Sequence, residues 1–245
     1  MHNWVKITDK LPSPELVQET PVIVVKDQKL TNEDLVSFAS TLGNVWSDNA
    51  FSGLQQTVYR GKELENSSVA LVAHDNNLGT RYVPWHVDVS HYPTQTIPNR
   101  LLYAFEDEYT TPTVFFNSSE ALERNPDIVD ELKYVSAYHL APYETPWKWP
   151  VKRPCIDKHP YHGYLSFICP GCFAKEIEGI TTTNEESWKW TEKLVKDMWD
   201  EDLEYIHNYE KGDVVIYDNL TVIHRRDEFK GERRLKRVTW EPFIY

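Results

Sequence analysis

Apolar positions along the chain fall mostly in short runs set apart by turn-forming residues, a pattern that predicts many strands and few helices. PVIVV at 21–25 reads as one such strand. Further β-like runs are TVYR (57–60), VALVAH (69–74), YVPWHVDVS (82–90), NRLLYAFE (99–106), TVFFN (113–117), YLSFIC (164–169), DVVIYD (213–218) and RLKRVTWEPF (234–243). Three stretches carry helical spacing instead. In TNEDLVSFASTLG, Thr31 caps a helix with Asp34 three residues on. Leu35, Phe38, Ala39 and Leu42 form its apolar stripe, and Gly43 ends it. A second helix is predicted over 118–132, starting from Ser118 or Ser119. A third starts near Thr183, with Glu186 in the capping-box position and Trp188, Thr191, Leu194, Val195 and Met198 along its inner face. Many short strands between turns predict a sandwich or barrel.

Length and composition narrow this picture. At 245 residues the chain can bury a full-sized core, and no composition break marks a boundary, so a single domain over 1–245 is expected. The formal charge of −12, with no basic stripe interleaved with aromatics, argues against a nucleic-acid partner. Apolar runs such as VIVV at 22–25 are too short to span a membrane, and the N-terminus has no apolar core of a secretory signal. Three cysteines are an odd, sparse set for a disulfide framework, so a reduced, cytoplasmic protein is expected. The Pro- and Trp-rich segment at 141–154 reads as a surface loop or lid. His74, His91, His139 and His207 read as loop or surface residues.

The chemistry concentrates at PWHVDVSH, residues 84–91. In a strand, residues i and i+2 face the same way, so His86 and Asp88 project together. Two side chains are not a site, and most such pairs are incidental. His224, in GDVVIYDNLTVIHRR and 136 positions beyond Asp88, is the best third ligand. Two imidazoles and one carboxylate on one face of an octahedral ion leave three positions open, the facial triad of non-haem Fe(II) oxygenases. Asp218 and Asn219 read as the turn that aims His224. Arg225 and Arg226 read either as contacts for an acidic substrate or as a solvated pair. Cys169-Pro-Gly-Cys172, with Cys155, His159 and His162 upstream, could be a small zinc site, although a buried cysteine is more often a small hydrophobe.

The order and spacing of these segments carry a resemblance. WHVD, a threonine 25 positions after its aspartate (Thr113 in TPTVFFNSSEAL), HPYHGYLSF at 159–167, GDVVIYDNLTVIHR and RRLKR together resemble the taurine dioxygenase family, which includes the 2,4-D dioxygenase-like enzymes. That resemblance implies a double-stranded β-helix, a cupin-like jelly-roll with flanking helices. It implies Fe(II) held by His86, Asp88 and His224, with 2-oxoglutarate as co-substrate and O2 as oxidant. It also implies Arg233 and Thr113 on the far carboxylate of 2-oxoglutarate. The short connection after His224 leaves Arg234 as an alternative clamp. Arg237, Tyr82 and Val89 fall at positions near the substrate.

The implied activity is hydroxylation of an unactivated C–H bond of a small polar, anionic or zwitterionic molecule, such as an amino acid, with release of succinate and CO2. A carboxylate at Asp88 favours hydroxylation over halogenation, because related halogenases have a small residue there. Members of the resembled family frequently self-associate, so the resemblance leaves a homo-oligomer as an open expectation. Two other classes stay open: a zinc-dependent hydrolase using the same His/Asp/His set, and a non-catalytic metal-binding module on the same fold.

Overall fold

Several strands are apolar at every position because both of their faces are covered. A computed structural model of the protein describes residues 3–46, 58–59, 62–63, 68–73, 79–94, 97–107, 111–141 and 148–243. Among them, a seven-stranded sheet runs in the order Val5–Thr8, Val22–Val25, Val214–Tyr217, Asn99–Tyr103, Arg234–Pro242, Gly43–Val45, with Ala70–Ala73 also paired to the long strand Arg234–Pro242. A four-stranded sheet runs Glu204–His207, Thr113–Asn117, Val222–Arg226, Val83–His86. Within these two sheets the described pairings are antiparallel except that of Val5–Thr8 with Val22–Val25.

Side-chain alternation builds three cores from these strands. Val22, Val24, Leu102, Val215, Tyr217 and Leu235 of the larger sheet pack against Phe115 and Val222 of the smaller one. Their neighbours Ile23, Val25, Leu101, Tyr103, Val214 and Ile216 point the other way, onto Leu35, Phe38, Ala39 and Leu42 of the helix Asn32–Leu42. On the smaller sheet, Val114, Phe116 and Ile223 face outward onto Ala121, Leu122, Leu194 and Val195. The result is a jelly-roll of two packed sheets buttressed by helices, the double-stranded β-helix expected from the sequence. Because Val114, Phe116 and Ile223 point out, Thr113, Phe115 and His224 point in, toward the space between the sheets.

Local signals explain the helices. Thr31 and Asp34 form a full capping box, as do Thr183 and Glu186 at the helix Asn184–Asp197; each cap stabilises its helix by about 1 kcal/mol. Gly43 follows the helix Asn32–Leu42, and only glycine fits there: a Cβ would meet the Glu241 carbonyl oxygen at 1.9 Å.

Several expectations are corrected. The helix predicted over 118–132 is two, Ser118–Arg124 and Pro126–Leu132. Proline disfavours the helical region for the residue before it, and Asn125 sits at φ −125°, ψ 68°. Trp188 is not on the inner face of its helix. It is exposed and stacks on Tyr82, while Ser187 is buried in its place. The strand expected over 82–90 ends at His86, and residues 88–91 form a turn. Within 141–154, residues 142–147 lie outside the described residues, and Val151–Pro154 is a strand paired with Ser136–His139. His139 and His207 are buried in strands, His91 lies in a turn as expected but is buried, and His74 lies outside the described residues. No helix among the described residues is long and apolar enough to cross a membrane.

Candidate active site

His86 stands at the end of its strand, packed against the short 3-10 helix Gly171–Phe173. Gly171, at φ +40°, lies so close that a Cβ would meet the Trp85 carbonyl oxygen at 1.7 Å and the His86 Cβ at 2.9 Å. The Cys169 thiol donates to the same Trp85 carbonyl at 3.2 Å. The imidazole of His86 is oriented by a 2.7 Å hydrogen bond from Nδ1 to the Pro84 carbonyl. A carbonyl can only accept, so Nδ1 carries the proton and Nε2 presents its lone pair. His224 lies opposite His86 in the strand register, with ring centroids 4.2 Å apart.

Asp88 reaches the same place from a turn rather than from the strand. Its Oδ1 is 3.7 Å from His86 Nε2 and its Oδ2 is 3.8 Å from His224 Nε2. Val89 beside it takes φ 66°, a left-handed conformation that β-branched residues avoid. The fully buried Asn219 side chain holds this turn: its Oδ1 accepts from the Asp88 N–H at 3.1 Å, and its Nδ2 donates to the carbonyls of Asp88 at 3.0 Å and Pro98 at 3.1 Å. Arg153 adds a 2.7 Å bond to the Ser90 carbonyl.

Burial alone raises the Asp88 pKa. The Arg100 guanidinium, with Nε 3.2 Å from Oδ2, overcomes it together with His86, His224 and Arg237, and holds the carboxyl well below the usual carboxylate range. The Tyr217 hydroxyl donates to the same Oδ2 at 3.3 Å. Burial and the neighbouring His86 push His224 down to about 3. At neutral pH the cluster therefore offers an ionised carboxylate and a neutral His224, the protonation states a metal requires of its ligands. The ligand atoms of His86, Asp88 and His224 lie within 4.8 Å of one another and could hold a metal ion. Two imidazole nitrogens and one carboxylate suit a divalent transition metal.

A second cluster, His159, His162 and Asp218, has comparable spacing but its bonds are already in use. Asp218 Oδ2 accepts from His159 Nε2 and the Thr221 hydroxyl, each at 2.8 Å, and Oδ1 accepts from the Leu220 N–H at 2.9 Å. This cluster fixes the turn that leads into the His224 strand. No cysteine belongs to either metal-capable cluster among the described residues.

The His86/Asp88/His224 cluster opens into a cavity of about 80 Å³ that Thr113, Arg233 and Arg237 also line. Arg233 Nη2 donates to Thr113 Oγ1 at 2.9 Å, and the Tyr209 hydroxyl lies 2.8 Å from the same oxygen. Arg234, the alternative clamp, is not among the lining residues and pairs with Glu232 and Glu106 instead. Arg225 and Arg226 both line the cavity. Neither is a simple solvated charge: Arg225 lies over the Trp85 ring, and buried Arg226 donates to the carbonyls of Gly79 and Arg81.

Comparison with known proteins then identifies the chain. Residues 115–239 match the model of the Taurine catabolism dioxygenase TauD, TfdA family. The chain belongs to this family. One relative is the alpha-ketoglutarate-dependent 2,4-dichlorophenoxyacetate dioxygenase of Cupriavidus pinatubonensis, 24% identical, with 91% of this chain and 85% of the relative covered. Two solved structures share the fold. A taurine dioxygenase from Burkholderia xenovorans has a TM-score of 0.70 at 21% identity, covering 96% of this chain and 82% of that one. AAD-2, solved in complex with Mn(II) and N-oxalylglycine, has a TM-score of 0.73 at 19% identity, covering 96% and 93%.

The TauD, TfdA match takes in His224, Arg233 and Arg237 but begins after His86, Asp88 and Thr113. It is the geometry of this chain that brings those three residues to the others. Tyr82 and Val89 are not among the residues that line the cavity. Tyr82 donates to Glu192 at 3.0 Å and stacks on Trp188, and Val89 sits in the turn beyond Asp88. Sequence reasoning missed Arg100, Tyr217, Asn219 as a clamp on Asp88, and Tyr209. Only Asn219 left a signal, its place in the turn before His224.

Proposed function

We propose that this TauD, TfdA family chain acts as a single catalytic domain, an Fe(II)- and 2-oxoglutarate-dependent oxygenase that hydroxylates an unactivated C–H bond of a small anionic or zwitterionic molecule. The observation that carries the reading is one cavity lined both by the His86/Asp88/His224 cluster and by the Arg233–Thr113 pair. His86 and His224 would hold the metal through Nε2, and Asp88 through its carboxylate. Bound Fe(II), 2-oxoglutarate and O2 supply the oxidising chemistry, with succinate and CO2 as co-products.

The protein's part is placement. A guanidinium forks onto a carboxylate and stays charged when buried, so Arg233 suits the far end of 2-oxoglutarate, with Thr113 as a second donor. Asp88 would give the metal a carboxylate ligand where related halogenases have a small residue, which supports hydroxylation over halogenation. Arg237, beside Arg226 and Arg233, gives the cavity a cationic lining, which supports an anionic substrate. The relative from Cupriavidus is named for an aryloxyacetate, itself a carboxylate.

The test is anaerobic. Fe(II) and then 2-oxoglutarate are added to the purified protein and the visible spectrum is recorded. A charge-transfer band is expected only with both present. Arg233→Ala, which removes a charged hydrogen-bonding partner, is expected to weaken 2-oxoglutarate binding by about 2–3 kcal/mol, roughly 30–150-fold. No band in the wild type would sink the reading and reopen a zinc hydrolase or a binding module.

A further inference from the structure

Thr113 sits at the centre of a hydrogen-bonded trio whose donors and acceptors can be counted. A threonine hydroxyl has one hydrogen to give and two lone pairs to fill. Arg233 can only donate, and its Nη2–H takes one lone pair of Thr113 Oγ1 at 2.9 Å. The second contact is the Tyr209 hydroxyl at 2.8 Å. Tyr209 follows the strand Glu204–His207, whose His207 pairs with Thr113 across the smaller sheet, so register brings the phenol to that oxygen. The Arg233 guanidinium also lies over the Tyr209 ring, 5.4 Å from its centroid. Buried Tyr209 is held protonated: burial raises its pKa, against the charge of the neighbouring Arg233. The geometry allows either hydroxyl to donate; a phenol is a stronger hydrogen-bond donor than an alkanol, which assigns the Tyr209 hydrogen to the second lone pair of Thr113. The single hydrogen of Thr113 then has no acceptor within the trio, and the cavity that Thr113 lines is the direction left to it.

The geometry points to Tyr209 as a positioning residue that presets Thr113 as a hydrogen-bond donor to an incoming carboxylate, on the reading above the far carboxylate of 2-oxoglutarate. Tyr209 acts through Thr113 and need not touch the co-substrate.

The test is a double-mutant cycle read by binding. The wild type, Tyr209→Phe, Thr113→Val and the double variant are loaded with Mn(II), and the dissociation constant of 2-oxoglutarate is measured by calorimetry. Phenylalanine keeps the ring beneath Arg233, and Thr113→Ala replaces the valine variant if that one does not fold. Tyr209→Phe is expected to weaken 2-oxoglutarate about 5–10-fold with Mn(II) affinity unchanged. In the Thr113→Val background the same substitution should cost clearly less, because the route through Thr113 is gone and only the Tyr209–Arg233 contact is left. Wild-type affinity in Tyr209→Phe would overturn the proposal, as would an equal loss in both backgrounds. A wild type that binds Mn(II) but no 2-oxoglutarate would overturn the parent reading and this one with it.

Discussion

Asn219→Asp is a nearly isosteric change that strikes at the turn carrying Asp88. The Asn219 side chain makes three hydrogen bonds from a fully buried position, two of them donated by Nδ2 to the carbonyls of Asp88 and Pro98. Aspartate keeps the acceptor for the Asp88 N–H but sets an oxygen against those two carbonyls. Two lost hydrogen bonds at about 1 kcal/mol each, plus the burial of mismatched acceptors, give a loss of about 2–4 kcal/mol in stability. The local consequence is larger than the global one. Val89 is held at φ 66°, a conformation that costs a β-branched residue about 1–2 kcal/mol, and without the clamp the turn can relax toward extended backbone. Asp88 then leaves His86 and His224. Supporting contacts of this kind typically change metal affinity by about 10–100-fold, and a loss of that size is expected here. Urea unfolding measures the stability and a Mn(II) titration followed by electron paramagnetic resonance measures the affinity. A folded Asn219→Asp protein with wild-type Mn(II) affinity would refute the claim that this side chain places the ligand.

Two further outcomes follow from the geometry. Gly171→Ala sets a Cβ 1.7 Å from the Trp85 carbonyl oxygen at φ +40°, so the His86 strand must move. A loss of about 3 kcal/mol or more is expected, together with loss of Mn(II)-induced stabilisation in thermal melts, and a wild-type melting curve would contradict it. Asp218 is held at about 2, against an ordinary value of 3.8, because His159, the Leu220 N–H and Thr221 overcome its burial. Its folded-state pKa lies below the unfolded one, so its contribution, about 2 kcal/mol, is fully present above about pH 4 and is lost as pH falls toward 2. Asp218→Asn should therefore be less stable than the wild type at pH 7, with the gap closing between pH 4 and pH 2. A gap that stays constant with pH would disprove the linkage.

Much of the architecture was legible because its causes are local. Capping at Thr31 and Thr183 acts over three residues, and TVFFN at 113–117 matches the strand boundaries because its alternate side chains meet two different cores. The break at Asn125 was also local, and Pro126 carried its signal. Trp188 was misplaced because helical spacing marks a face without saying what covers it; Ser187 turned inward to Thr181, and Trp188 found Tyr82.

At the site, the sequence by itself determined the chemical types: two histidines, an aspartate, a threonine and an arginine in a spacing that resembles a known family. Tertiary structure decided what holds them. Asp88 meets Asn219 across 131 positions and Thr113 meets Tyr209 across 96, and each meeting depends on strand register and on which face each residue presents. Periodicity and capping reach only a few residues along the chain. A hydrogen bond between distant segments is specified by the packing of everything between them, so Asn219, Arg100, Tyr217 and Tyr209 became visible only once the sheets had closed.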